Sequence, residues 1–267
     1  MPRLRLLIAI LFAAGGQVFG ADAASRTRQT GSFRATLSRS VAYDYLLFLP
    51  AAYGAHAERR WPTILFLHST GEAGANLALL LNPNGPPKLI ETTTAESSTL
   101  QTPSKAAKAL ASDFIVLSPQ CPVSQGWDAD ALIALLDDVS AKYRVDPSRV
   151  YLTGFSMGGF GTWSLGMRHP HRFAAIAPIC GGGDFVDIGT GLPGKRPALQ
   201  SLPIWVFHGG KDTGVPLSES ERMINAVKKV GGNNDVRLTV YPDAGHDSWT
   251  ETYDNPELYR WFLQHRR

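Results

Sequence analysis

The residues that first suggest chemistry are Ser156, Asp212 and His246. Ser156 sits in Gly154-Phe155-Ser156-Met157-Gly158, which fits the pattern G-x-S-x-G. A short apolar run, Val150 to Leu152, precedes it, and an apolar helical stretch, Phe160 to Met167, follows. Strand, sharp turn and helix in that order separate a nucleophile elbow from an ordinary Gly-rich turn with an incidental serine. A strand that reverses straight into a helix forces strained backbone angles on the corner residue. Glycines two before and two after it leave room for the bend. The serine oxygen then stands exposed. The Met157 amide, at the start of a helix where N–H groups lack partners, points to the same place.

A serine hydroxyl is a weak nucleophile at neutral pH. It needs a base to take its proton and a third group to hold that base. In Trp205-Val-Phe-His-Gly-Gly-Lys-Asp212 an acid lies just past an apolar run. In Tyr241-Pro-Asp-Ala-Gly-His246 a histidine lies just past the next one. Ser, Asp, His is the chain order that goes with a nucleophile elbow. Asp243 and Asp247 are rival acids, but both sit too near His246 in sequence to orient it from a separate loop. His68 and His208 directly follow apolar runs and are expected to hydrogen-bond loop backbone. His56, His169, His171 and His265 read as surface residues. The oxyanion of an acyl transfer needs two donors. One is the Met157 amide. The other is expected from His68-Ser69-Thr70-Gly71-Glu72, with the Thr70 amide as candidate and Ser69 as its neighbour.

Three side chains so far apart in sequence meet only if strands deliver them to one edge. The runs Pro62–His68, Phe114–Leu117, Val150–Leu152, Phe173–Ile179, Ile204–Phe207 and Val236–Tyr241 are short and apolar, as strands buried on both faces are. Helices are expected over Ala75–Leu81, Lys105–Ala111, Ala129–Tyr143, Leu217–Val230 and Pro256–His265. Ser32–Ser40 and Val41–Pro50 read as two edge strands forming a hairpin, paired antiparallel because no helix separates them. Asn82–Ser104, rich in Pro, Thr and Ser, reads either as a surface excursion bordering the active site or as plain disorder, and Asp184–Leu202 as a loop. The alternation predicts an α/β fold: a mostly parallel, doubly wound sheet of about eight strands with helices on both faces. Strand C-terminal ends share one edge of such a sheet, and ligands bind there.

Composition narrows the setting. The chain has 267 residues, 44% hydrophobic and 18% charged, which fits one globular domain with a sizeable core. Pro2-Arg3-Leu4-Arg5 is a basic start. Leu6–Ala14 is apolar but shorter than the roughly 20 residues a bilayer needs, and small residues follow. This is a secretory signal peptide pattern over residues 1–20, with cleavage possible as late as residue 23, leaving 24–267 as the catalytic domain. The expected location is secreted or periplasmic, with no membrane span after cleavage. The formal charge is +3, and loss of Arg3 and Arg5 leaves 24 basic against 23 acidic residues. Such a balance makes no electrostatic case for nucleic acid or an anionic membrane as partner. Cys121 and Cys180 are too few in a chain this long to be a disulfide scaffold. No cofactor is implied, and no spacing suggests a metal site.

Several motifs together resemble the α/β-hydrolase superfamily, in particular its lidless carboxylesterase, feruloyl-esterase and polyhydroxybutyrate-depolymerase-like group with its predicted-peptidase-like members. They are His68-x-x-Gly71-Glu72, Ser118-Pro-Gln-Cys-Pro122, Gly154-Phe-Ser-Met-Gly-Gly-Phe-Gly-Thr-Trp163, Ala177-Pro-Ile-Cys-Gly-Gly182, His208-Gly-x-x-Asp212-x-x-Val215-Pro216 and Gly245-His246. They span nearly all of residues 41–265. The resemblance implies an α/β-hydrolase fold without a large lid domain, and a Ser156–His246–Asp212 triad that forms an acyl-enzyme. In the family's sheet order the strands before Cys121 and Cys180 are not neighbours, so the resemblance also implies two free, mostly buried thiols. One departure is Ser69, where the family usually has glycine. Gly181–Leu202 is short and holds few apolar residues to cover a lipid groove. Esters with a short acyl chain or an aromatic, soluble character are therefore the expected substrates, small or oligomeric. Trp127 and Trp163 are candidate flat surfaces for such groups, with core packing the main role of Trp163. A peptidase using the same triad, and a non-catalytic binding protein on the same fold, are the competing readings.

Overall fold

The computed structural model describes Ser32 and residues 40–93, 102–123, 126–184, 188, 196–231 and 235–267. The chain divides into two compact units, Met1–Ser40 and Val41–Arg267. The segment expected to be a signal peptide, and the strand expected over Ser32–Ser40 apart from its end residues, lie outside the described residues. No helix among the described residues is long and apolar enough to cross a membrane.

The second unit is built on a sheet of seven described strands, where the sequence suggested about eight. They are β1 (Asp44–Phe48), β2 (Trp61–Leu67), β3 (Ile115–Gln120), β4 (Val145–Phe155), β5 (Ala175–Ile179), β6 (Ile204–Gly209) and β7 (Val236–Tyr241). Their spatial order is β1-β3-β2-β4-β5-β6-β7. Only β1 runs antiparallel, with Asp44 opposite Gln120 and Phe48 opposite Val116. The order reverses direction between β2/β3 and β4 onwards, so the chain winds outwards both ways from the centre. All seven residues of β2 are buried, as expected of a strand covered on both faces.

Alternate residues of each central strand feed two separate core layers. Leu65, Leu67, Val150, Leu152, Ile176 and Val206 point to one. Ile64, Phe66, Tyr151, Phe155, Ala177 and Phe207 point to the other. The first layer is closed by α3 (Ala129–Lys142), α4 (Met157–Arg168) and α6 (Ser218–Lys229). The second is closed by α1 (Pro86–Glu91), α2 (Lys105–Asp113), α7 (Trp249–Tyr253) and α8 (Pro256–Gln264). A short α5 (Arg196–Ser201) precedes β6. Cys121 and Cys180 are both free and buried.

Three departures from the sequence reading share one cause. Asn82–Ser104 holds α1, Asp184–Leu202 holds α5, and α7 follows His246. Each is five or six residues long, too short to show a helical period. Pro86 and Pro87 read as breakers, yet they stand in the first turn of α1, where a missing N–H costs no hydrogen bond. Ala75–Leu81, expected to be helical, is a 3₁₀ helix over Leu77–Leu81.

Candidate active site

Ser156 is the corner between β4 and α4, with φ 53° and ψ −119°, angles that side chains with a Cβ rarely adopt. The neighbours hold it there. Its amide donates to Ile179 O at 3.0 Å, and its carbonyl accepts from the Phe160 amide at 3.0 Å. The glycines of the motif are required by space. A Cβ at Gly158 would stand 1.9 Å from Leu67 O, and one at Gly154 would stand 2.5 Å from Gly158 O. The end of β2 therefore runs directly under the start of α4. Cys180, the residue after β5, is the other non-glycine with positive φ among the described residues. It lies behind the elbow, its amide bonded to Phe207 O at 2.9 Å. Burial pushes its thiol up to about 12, so the sulfur stays protonated.

The loops after β6 and β7 bring the other two side chains to Ser156. His246 Nε2 lies 2.9 Å from Ser156 Oγ, and its Nδ1 lies 2.7 Å from Asp212 Oδ2. The second carboxylate oxygen, Asp212 Oδ1, accepts from the Gly214 and Val215 amides, each at 2.8 Å. Burial pushes the Asp212 carboxyl up. The His246 ring and the two amides pull it further down, so it sits below the ordinary carboxylate range. The Asp212 side chain is fully buried, whereas that of His246 is 34% exposed, so the imidazole is partly accessible to solvent.

The rival residues are occupied elsewhere. Asp243 pairs with Lys211 at 2.7 Å on the surface. Asp247 accepts from the Thr250 amide and hydroxyl at 3.0 and 2.9 Å, capping α7. His208 is buried, with Nδ1 2.7 Å from Ser220 Oγ and Nε2 2.8 Å from Val215 O, so it braces the Asp212 loop. His68, also buried, has Nδ1 2.5 Å from Ser69 O, and its Nε2 accepts from the Cys121 amide at 2.8 Å. Burial lowers its pKa to about 4, so the ring is neutral. His265 is half-buried against Asp235 rather than a free surface residue.

Of the two proposed amide donors, Met157 opens α4 and Thr70 opens a 3₁₀ turn, Thr70–Glu72. The Ser69 amide is committed, donating to Glu72 Oε2 at 2.9 Å. Trp163 is fully buried in the core. Trp127 is half-buried, donates to His68 O at 3.3 Å and lies edge-on to the His68 ring. The sequence reading missed Trp249. Its ring stacks on Phe155 at 4.5 Å and meets His246 edge-on at 5.6 Å. A tryptophan three residues after the histidine was the only available signal.

Residues 54–255 match the family described as phospholipase/carboxylesterase. The chain belongs to that family of α/β-hydrolases. A thermostable esterase superposes on 84% of the chain, and on 59% of its own, with TM-score 0.66 and 29% identity. A ferulic acid esterase covers 82% of the chain and 89% of its own, with TM-score 0.59 and 18% identity, a likeness of fold. A Methylorubrum extorquens protein, whose carboxymethylenebutenolidase name is provisional, is 32% identical over 45% of this chain and 40% of its own. The chain spans about half or less of the length of the first curated relatives it matches.

Proposed function

We propose that this phospholipase/carboxylesterase relative is an exported serine hydrolase that cleaves carboxylic esters through Ser156, His246 and Asp212. One observation carries the reading: the hydrogen-bonded line from Ser156 Oγ through His246 to the buried Asp212, at 2.9 and 2.7 Å. In the proposed reaction His246 Nε2 takes the hydroxyl proton as Ser156 Oγ attacks the ester carbonyl. Asp212 holds Nδ1–H and stabilises the imidazolium that forms. The carbonyl oxygen becomes an oxyanion, received by the Met157 and Thr70 amides. His246 then protonates the departing alkoxide, leaving an acyl-enzyme and a free alcohol. A water molecule, deprotonated by the same ring, releases the acid and restores Ser156.

The proposed substrates are short-acyl or aromatic, soluble esters. Supporting this, the described apolar residues of the connection between β5 and β6, Ile188 and Leu199, are buried in the first core layer, and the His246 side chain remains partly exposed. Export is supported by the N-terminal basic, apolar and small-residue pattern. The purified protein is expected to hydrolyse p-nitrophenyl acetate and butyrate well above the palmitate ester, with no rise in rate beyond the solubility limit. Robust peptide cleavage with negligible ester turnover would favour the peptidase reading. Failure of a fluorophosphonate probe to label Ser156 in folded protein would favour a binding protein.

A further inference from the structure

The loop after β2 carries a clamp that the triad does not use. Glu72 turns its carboxylate back to the loop entrance, where Oε2 accepts the Ser69 amide at 2.9 Å. The rest of the loop is tied to the end of β3. Gln120 Nε2 donates to Glu72 O at 2.7 Å and to Asn76 O at 2.8 Å. The Gly74 amide donates to Cys121 O at 2.9 Å, and the Cys121 amide donates to His68 Nε2 at 2.8 Å. The same loop begins against the elbow, since a Cβ at Gly158 would stand 2.7 Å from His68 O.

We propose that Glu72 is a positioning residue for the oxyanion hole: by holding the Ser69 amide, its carboxylate presents the Thr70 amide, rather than the Ser69 amide, to the reacting carbonyl. The proposal rests on the serine-hydrolase reading above. An amide N–H makes one strong hydrogen bond, so the Ser69 donor is committed. Thr70 is the first residue of its turn, where an N–H has no acceptor within the helix. The carboxylate thus selects between two adjacent donors. It also accounts for Ser69 standing where the family usually has glycine. Ser69 has φ −90° and ψ −176°, extended angles open to any side chain, so the clamp sets the peptide orientation without glycine. The Glu72 side chain is 12% exposed, so little water competes with its carboxylate for the Ser69 amide.

The test compares Glu72→Ala, Glu72→Asp and Glu72→Gln in the full chain with p-nitrophenyl acetate. Loss of one oxyanion donor costs about a hundredfold or more in kcat, so Ala, and Asp with its shorter reach, should fall by that factor with KM within about twofold. Glutamine keeps an acceptor oxygen and sheds the charge, so Glu72→Gln should hold kcat within about threefold of wild type or exceed it. Affinity for phenylboronic acid, which mimics the tetrahedral state, should fall with kcat in the Ala and Asp variants and persist in the Gln variant. A folded Ala or Asp variant with kcat within threefold of wild type overturns the proposal, as does a Gln variant no better than either. If Ala does not fold, the Asp and Gln pair decides alone. Turnover that survives Ser156→Ala overturns the hydrolase reading itself, and the role of Glu72 with it. Turnover that requires Ser156 but ignores Glu72 overturns only the clamp.

Discussion

Ser156 occupies backbone angles that a chain adopts only when its surroundings impose them. Here they do: Ile179 O, Phe160 N and two glycines without room for a Cβ hold the corner. What this strain achieves is an oxygen held 2.9 Å from an imidazole that is itself held by a buried carboxylate. The three side chains are expected to act as a unit. Ser156→Ala and His246→Ala should each lower kcat by at least about a thousandfold with little change in unfolding midpoint, and the double variant should be scarcely worse. Asp212→Asn should also lower it severely, because the amide favours the wrong imidazole tautomer. Asp243→Asn provides the contrast. It breaks only an exposed pair with Lys211, worth about 1 kcal/mol or less, and should leave kcat within about twofold. Steady-state kinetics on the four single variants and the double variant measures this. An Asp243 variant as damaged as Asp212→Asn would move the acid to the wrong loop.

At the scale of elements, three strand ends and one helix start build the site, and the strongest constraint is the approach of β2 to α4. A Cβ at Gly158 would overlap Leu67 O at 1.9 Å, and the nearest atoms are all backbone, which cannot swing aside. Gly158→Ala should therefore cost more than about 3 kcal/mol or displace the elbow outright. A thermal unfolding midpoint well below wild type, with lost fluorophosphonate labelling of Ser156, is the expected result. Normal labelling and stability would show that the loop after β2 yields. The same contact explains why this part of the chain was legible from its residues. A buried strand, Gly-x-Ser-x-Gly and a helix are local signals, each read within a dozen residues. The position of Asp212 and His246 past two apolar strands was legible for the same reason, since parallel strand ends share one edge. The Glu72 clamp has a local signal, the capping-box pattern Ser69-x-x-Glu72, that the sequence reading passed over; its tie to Gln120, 48 residues away, was not legible. Nor was α7, whose five residues give Trp249 its place beside His246 without showing any periodicity. The strand ends, too, shifted: the run expected to stop at Leu117 extends to Gln120, carrying polar residues into the buried strand.

Across the whole molecule, the buried ionisable groups set how stability should vary with pH. His68 is neutral in the fold, its pKa lowered by burial from the ordinary 6.5 to about 4. The unfolded chain takes up a proton on this ring below about 6.5, and the folded chain resists doing so until about 4. Its contribution is therefore fully present at neutral pH and is lost as pH falls through that window. With these values the loss between pH 7 and pH 5 is about 2 kcal/mol. Burial lowers His265 in the same sense, although Asp235 opposes it. Asp212 and Asp146 add a second phase. For both, burial acts upwards but hydrogen bonds and neighbouring charges win, from His246 and two amides in one case and from Ser148 and Arg149 in the other. A carboxyl lowered in the fold stabilises above its unfolded value, 3.8, and that stabilisation disappears as pH falls below it. Glu72, raised by burial, works the other way, favouring the fold slightly as pH falls towards 4.5. Denaturant unfolding at pH 7, 5 and 3.5 is expected to show a loss already at pH 5 and a steeper one at pH 3.5. His68→Gln preserves a donor for Ser69 O and an acceptor for the Cys121 amide but cannot take up the proton. That variant should lose about 2 kcal/mol less than wild type between pH 7 and pH 5, while its acid phase below 3.8 stays the same. An unchanged pH 7 to 5 difference in His68→Gln would assign that loss to other groups.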